Sequence, residues 1–330
     1  MDRKITIADV AEALGVSKTT VSRAISGKGR IGEETRKKVL EYIEVTDYKP
    51  NVIAKSLAQS KTYNIAMILP ADCNIAELPF FQTCMYGACE AAAERDYDVL
   101  TIYTLGNESK NLERVLINNK IDGIIQSRTT VNDSISALIA KRGIPFVAIG
   151  TTDDPSIVRV DHDHRSACRE LTAHLIASGL RRIALIGGNN THMVTRNRYR
   201  GFVDAFKEAK IGMDPELIYL NAEGNDNIDE VTHSLLVKGA ECIVCMDDMI
   251  CSRVLQKLRR DRITVPDHVK VASFYNSSLL ESHIPAVTTL EFDVKQLGET
   301  AASVLIDLIE GKEVKQTTLL PYHLKIKETT

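Results

Sequence analysis

Apolar residues in this chain of 330 follow two rhythms, and the chain divides where one gives way to the other. Over residues 1–49 they recur every three or four positions, the period of a helix with one buried face. Ile7, Val10, Ala11 and Leu14 form one stripe, Val21, Ala24 and Ile25 a second, and Val39, Leu40 and Ile43 a third. Thr6 and Ser17 stand where the first two helices would begin, each with a hydroxyl able to accept from a free backbone N–H of the first turn. Gly15 supplies a sharp break between them. Glu33 and Glu34 open a third helix, to about Glu44, where carboxylates suit the positive end of the helix dipole. Three short helices around one small core are expected.

From Asn64 onward the apolar residues come in continuous runs: Ile65–Leu69, Val99–Tyr103, Gly123–Ile125, Phe146–Ile149, and, after a break, Ile183–Ile186, Cys242–Cys245 and Val269–Phe274. Such runs, alternating with amphipathic helical stretches, predict parallel sheets covered on both faces. Two successive sets predict two lobes. Between head and body, residues 50–61 are compatible with a helix, with Ile53 and Leu57 four apart, yet too short to be stable alone.

The second helix carries the most distinctive pattern. On a wheel of about 100° per residue, Lys18, Thr19, Ser22 and Arg23 gather on one side, opposite Thr20, Val21, Ala24 and Ile25. One flank docks and the other is offered. Helix, tight turn and helix followed by a third helix is the arrangement in which the second helix enters the DNA major groove. Short hydroxyls allow close approach, Arg23 can reach the two acceptors of guanine, and Lys28, Arg30, Arg36 and Lys37 can neutralise phosphates. An isolated helix of this kind would more simply be a solvated amphipathic surface; three capped elements in order favour DNA. Charge agrees: residues 1–61 hold 12 Lys and Arg against 8 Asp and Glu, net +4, whereas the remainder holds 29 against 36, net −7.

Four segments, Ile7-Ala8-Asp9-Val10-Ala11, Gly15-Val16-Ser17, Thr20-Val21-Ser22-Arg23 and Tyr48-Lys49-Pro50-Asn51, resemble the head signature of LacI/GalR-type bacterial transcription regulators. The resemblance covers nearly the whole chain. It implies an all-α helix-turn-helix head (1–49), a hinge (50–61) that becomes helical on DNA, and an α/β body (62–330). The body would be two Rossmann-like lobes of the periplasmic-binding-protein type, about 62–162 with 294–320 and 163–293 with 321–330. It further implies a homodimer on a pseudo-palindromic double-stranded operator, with Leu57 wedged into the minor groove, a step that unstacks bases and bends the duplex. The DNA contacts so implied are Thr6, Ser17, Lys18, Thr19, Thr20, Ser22, Arg23, Lys28, Asn51, Ala54, Lys55 and Leu57.

Ligands of open parallel sheets collect beyond the carboxyl ends of the strands. Asp72, Phe80, Phe81, Ser127, Asp161, Asp247 and Asn276 follow strands here. Each carboxylate alone reads as a turn or cap. Their recurrence, with an amide and aromatic faces, suits a polyhydroxylated solute. By the resemblance, Arg198 and Asp247 contact a small-molecule effector, and Tyr275 occupies a contact position where relatives usually carry Gly-Phe-Asp-Asp or a near variant. Pro79-Phe80-Phe81, Val194-Thr195-Arg196 and Asn276-Ser277 look most like the maltose-type regulators, which implies a mono- or disaccharide, a glucoside in particular.

Other signals point elsewhere and are set aside. Cys242 and Cys245 lie three apart in a strand, so their sulfurs face opposite sides and pack rather than bind metal. Asp161-His162-Asp163-His164 lacks a spaced partner set for a metal. Gly187-Gly188-Asn189-Asn190 lacks the spacing of a phosphate loop. No cofactor, metal or catalytic triad is expected. Seven cysteines, an N-terminus without an apolar leader and the absence of any apolar run near the roughly 18 residues of a membrane span lead to the expectation of a cytoplasmic protein. The rival readings are a cytoplasmic solute-binding protein whose head does not bind DNA, and a sugar-processing enzyme.

Overall fold

The computed structural model describes residues 5–26, 29–46, 48, 61–71, 79–105, 108–222 and 225–330. The chain forms two compact units, Met1–Thr62 and Tyr63–Thr330.

In the first unit, helix α1 (Ile7–Ala13) starts at Thr6, whose backbone N–H donates to Asp9 at 2.8 Å while its hydroxyl accepts from the Asp9 N–H, a reciprocal capping box. Gly15 turns the chain with φ +64°, a left-handed conformation that costs glycine little. Helix α2 (Lys18–Ser26) follows, with the Thr20 N–H donating to the Ser17 hydroxyl at 3.0 Å. Helix α3 (Glu33–Val45) completes the trio. Val10, Ala11, Val21, Ala24, Val39 and Tyr48 form the core. Leu40 corrects the expected stripe: it is 44% exposed, and Tyr42 packs inward in its place, beside Ile43 as expected. Leu40 lies about 100° around the helix from Val39, off the stripe centred on Val39, Tyr42 and Ile43.

The second unit opens with β1 (Asn64–Pro70), α4 (Pro79–Ala93), β2 (Asp98–Thr104), α5 (Lys110–Ile117), β3 (Gly123–Gln126), α6 (Ser134–Arg142), β4 (Phe146–Ile149) and β5 (Val158–His162). The chain then enters a second lobe: α7 (His164–Ala177), β6 (Ile183–Ile186), α8 (Met193–Ala209), β7 (Ile218–Tyr219), α9 (Asn225–Val237), β8 (Cys242–Cys245), α10 (Asp248–Arg260), β9 (Lys270–Ser273), the short α11 (Ser278–Glu281) and β10 (Thr288–Phe292). It returns through α12 (Val294–Ile309) and β11 (Thr317–Leu320), and crosses once more into β12 (Tyr322–Lys325). The strand orders are β11-β5-β4-β3-β1-β2 and β12-β10-β9-β8-β6-β7, parallel throughout except for the antiparallel β10–β12 pair.

Each sheet is buried on both faces, which explains its uninterrupted apolar runs. In the first, α4 and α12 cover one face and α5 and α6 the other. In the second, α7 and α8 cover one face and α9 and α10 the other. A Cβ on Gly298 would fall 1.9 Å from the Cys84 carbonyl oxygen, so α4 and α12 touch backbone to backbone there. Cys242 and Cys245 do face opposite cores, and burial raises both thiols, Cys242 to about 12. Strands β5, β7, β10, β11 and β12 are additional to the runs predicted. They carry polar residues or only half-buried patterns, as in the Thr-Thr-Leu-Glu-Phe of β10 and the edge strands β11 and β12.

Candidate functional site

Within the head, α2 buries Val21 and Ala24 completely and leaves Lys18, Thr19, Ser22 and Arg23 exposed. Ser17 and Thr20 share a hydroxyl hydrogen bond of 2.9 Å, so Thr20, half-buried, is held by its cap. The Arg23 side chain runs over Gly29, where an added Cβ would approach its Cδ and Nε to 3.2 Å. Thr6 is exposed at the start of α1. Arg30, Arg36 and Lys37 are exposed as well, Lys37 within 3.8 Å of Glu41. Lys28, Asn51, Ala54, Lys55 and Leu57 lie outside the described residues. The face presents cations and hydroxyls on a rigid element, chemistry suited to phosphates and base edges.

In the body, the candidates from both lobes converge on Arg198 of α8. Its guanidinium donates to the Met246 carbonyl and lies 5.7 Å from the centre of the Tyr275 ring. Tyr275, 7% exposed, meets Phe80 edge-on at 6.2 Å and stacks on Phe292 at 6.4 Å. Asp247 caps α10, accepting from the Ile250 N–H at 2.8 Å. Burial raises its carboxyl, and Asp248 pushes the same way while Ile250 and Arg198 oppose. Asp161 ends β5 and accepts from the His162 N–H at 2.8 Å and the Thr151 hydroxyl at 3.3 Å. Burial lifts it to about 7 against the pull of those donors and of Arg198. Among the described residues, Arg198 Nε and Asn276 Oδ1 are buried without a protein hydrogen-bond partner. A buried donor and acceptor left unpaired are costly, and hydroxyls of a solute would serve both.

The remaining candidates stand differently. Phe81 belongs to the first lobe's core, and the Ser127 hydroxyl is buried and donates to the Ile68 carbonyl at 2.6 Å. Asp72 lies outside the described residues. Residues that the sequence did not assign to the effector site also belong to this region. Asn197, next to Arg198, donates to the Thr151 hydroxyl at 2.6 Å. Ser277 donates to Asp248. His162 and His164 flank Phe292, at 4.9 and 4.7 Å between ring centres. Burial lowers His162 to about 4 and His164 well below its ordinary value, so the 3.5 Å contact of His164 with Asp161 joins a neutral imidazole to a carboxyl rather than two ions. Only the adjacency of Asn197 to Arg198 could have marked it, and nothing in the sequence tied Thr151 to the site.

Residues 6–51 match the model of the family described as bacterial regulatory proteins, lacI family, and residues 172–330 match a periplasmic binding protein-like domain. The chain is 31% identical to the HTH-type transcriptional regulator RegA of Clostridium saccharobutylicum, over 98% of each protein. It is 29% identical to the HTH-type transcriptional regulator MalR of Streptococcus pneumoniae, over 94% of this chain and 95% of the relative. Among solved structures, the complex of the transcriptional regulator CelR with cellobiose aligns with a TM-score of 0.73 at 25% identity, covering 99% of this chain and all of that one. These relatives are transcriptional regulators, not enzymes. The helix-turn-helix head and the two Rossmann-like lobes of the periplasmic-binding-protein type match this assignment, and among the described residues no helix is long and apolar enough to cross a membrane.

Proposed function

We propose how this chain works from one premise: it belongs to the LacI family of bacterial regulatory proteins and is an effector-controlled, DNA-binding transcriptional regulator. The observation that carries the mechanism is the two-sided α2, with Val21 and Ala24 sealed inside and Lys18, Thr19, Ser22 and Arg23 outside. In this reading α2 lies in the major groove, Arg23 reads guanine, and Thr6, Ser17, Lys18, Thr19, Thr20, Ser22 and Lys28 contact backbone or base edges. Residues 1–49 form the head and 50–61 a hinge, in which Asn51, Ala54 and Lys55 follow the groove and Leu57 wedges into it. Two copies act as a repressor on a pseudo-palindromic site in the cytoplasm.

The effector lies in the cleft of the body, against Arg198, Asp161, Asp247 and Asn276, with Phe80 and Tyr275 supplying aromatic faces. Asp72 and Ser127 complete the polar lining, and Phe81 supports Phe80 from the core. A neutral saccharide fits such a mixture of hydrogen-bonding groups and rings, and the cellobiose complex of CelR supports that class. An effector that binds one lobe arrangement better than the other shifts the population and with it the affinity for DNA. The reading assigns no catalytic step to the cleft.

The test is a titration against a pool of duplex palindromes at several salt concentrations, paired with a thermal-shift screen of mono- and disaccharides. Specific binding with a steep salt slope is expected, because phosphate contacts release counterions. Leu57→Ala should weaken operator binding and leave saccharide binding intact. Binding of all duplexes alike, insensitive to Arg23→Ala, would refute the assignment of α2.

A further inference from the structure

The two lobes are joined across the cleft by contacts other than the three chain crossings. Residues 129–131, beyond the end of β3, and residues 191–193, leading into α8, pair as an antiparallel bridge centred on Thr130 and His192. The Val131 N–H donates to the Thr191 carbonyl at 2.9 Å, and the Met193 N–H donates to the Thr129 carbonyl at 3.1 Å. Both ribs are held from behind. The Thr129 hydroxyl donates to the Thr151 carbonyl at 2.6 Å, and the Thr130 N–H donates to Asp133 at 3.0 Å. On the other side the Asn189 side chain accepts from the Thr191 N–H at 2.8 Å, and Arg196 Nε donates to the Asn190 carbonyl at 3.0 Å.

Thr151 joins this bridge to the carboxylate of the cleft. Its carbonyl anchors Thr129 in the first lobe, while its hydroxyl accepts from Asn197 on α8 of the second lobe and donates to Asp161 at the end of β5. The amide of Asn197 donates to the threonine hydroxyl, which in turn donates to the Asp161 carboxyl. A hydroxyl held at both ends has one orientation, so displacing either partner loosens the other.

We infer that residues 129–131 and 191–193 form a clasp that closes the lobes, and that Thr151, held between Asn197 and Asp161, is the positioning residue that ties the clasp to the effector carboxylate. The clasp itself stands on the hydrogen bonds above; its link to effector rests on the reading of the cleft proposed for this regulator. The clasp bonds are backbone to backbone, and the Thr129 side chain braces one rib from behind. The side-chain relay through Thr151 supplies the specificity.

Hydrogen–deuterium exchange of the full-length protein tests this without any ligand. Thr151→Val and Asn197→Ala should each raise exchange at the Val131 and Met193 amides by about 10-fold, the effect of losing one net hydrogen bond of roughly 1.4 kcal/mol. Amides of β3 and β6 should keep wild-type protection, and Thr151→Ser should restore the clasp. A purely structural role for Thr151 would raise exchange across the lobe, and that result, or unchanged exchange at both amides, overturns the inference. Repeating the thermal-shift assay with cellobiose and maltose separates the two claims. If a saccharide stabilises the wild type, Thr151→Val should reduce that stabilisation, and an undiminished shift would overturn the link to effector. If no saccharide stabilises the wild type, the effector reading fails while the exchange result stands.

Discussion

Helix α2 and the cleft use the same residue types in opposite ways. On α2, Lys18, Thr19, Ser22 and Arg23 stand in solvent, and the fold of the head depends on Val21 and Ala24 behind them. In the cleft, Asp161, His162 and His164 are buried, and Arg198 is half-buried against Tyr275 and the Met246 carbonyl. Exposed polar groups cost little to keep, so they can be exchanged for others with little effect on stability. Buried ones carry a desolvation cost that neighbours must offset, so their chemistry is perturbed and their removal is felt by the fold.

The sharpest way to break this contrast is from behind the helix. Val21→Asp places a charge among Val10, Ala24 and Val39 and should cost the head on the order of 3–5 kcal/mol. DNA binding should vanish while the melting of the body is unchanged; a folded, DNA-competent variant would disprove the division of α2 into two flanks.

Acid should act on the body and spare the head. Burial holds His162 down to about 4 and His164 well below its ordinary value, whereas the unfolded chain protonates both near 6.5, so their contribution is present above that value and lost as pH falls. His162 alone accounts for about 3 kcal/mol by pH 4. Asp161 runs the other way: raised to about 7, it favours the folded state at low pH, and that contribution is lost as pH rises from about 4 towards 7. The raised Asp161 and Asp247 carboxyls oppose the two histidines between about pH 4 and 6.5, so the histidine share is read from how the pH dependence of melting changes when the imidazoles are removed. The double variant His162→Gln, His164→Gln should lose less stability than the wild type on acidification from about pH 6.5 to 4; an unaltered pH dependence would refute the contribution of the two imidazoles.

Arg198→Ala should weaken saccharide binding by about 10- to 100-fold, the range for a charged hydrogen bond, and abolish the effector response with DNA affinity retained. Arg23→Ala should cost about 1–3 kcal/mol of operator affinity and relax selectivity at one base pair, and Lys18→Ala should lower the salt slope by about 1. Neither should move the melting temperature. The smallest effect is expected at Leu40, 44% exposed: Leu40→Ser should change head stability by less than about 0.5 kcal/mol, and a larger loss would mean that this side chain is covered.

How much of this was legible along the chain follows the same division. The flanks of α2 were readable because helical period and burial are both local, and Ser17 and Gly15 marked its limits. Leu40 was misread because a run of neighbouring apolar residues does not say which of them faces the partner helices. In the body, Ile65–Leu69 and Ile183–Ile186 announced themselves as doubly covered strands. β10, with Thr288, Thr289 and Glu291, did not, since its place in the sheet follows from pairing with β9 and β12. Asp161, Asp247 and Tyr275 became candidates by their positions after strands and by family pattern, and Thr151 did not, because its partners lie 10 and 46 residues away.

Periodicity and short motifs within a few residues were enough to set the element types, the two-sided α2, the parallel doubly covered sheets and the family. Packing in three dimensions placed Arg198 over Tyr275, kept His162 and His164 neutral around Phe292, and made Thr151 the bridge between Asn197 and Asp161. Those relations depend on distance and desolvation between segments far apart in the chain, and both quantities exist only once the lobes have packed.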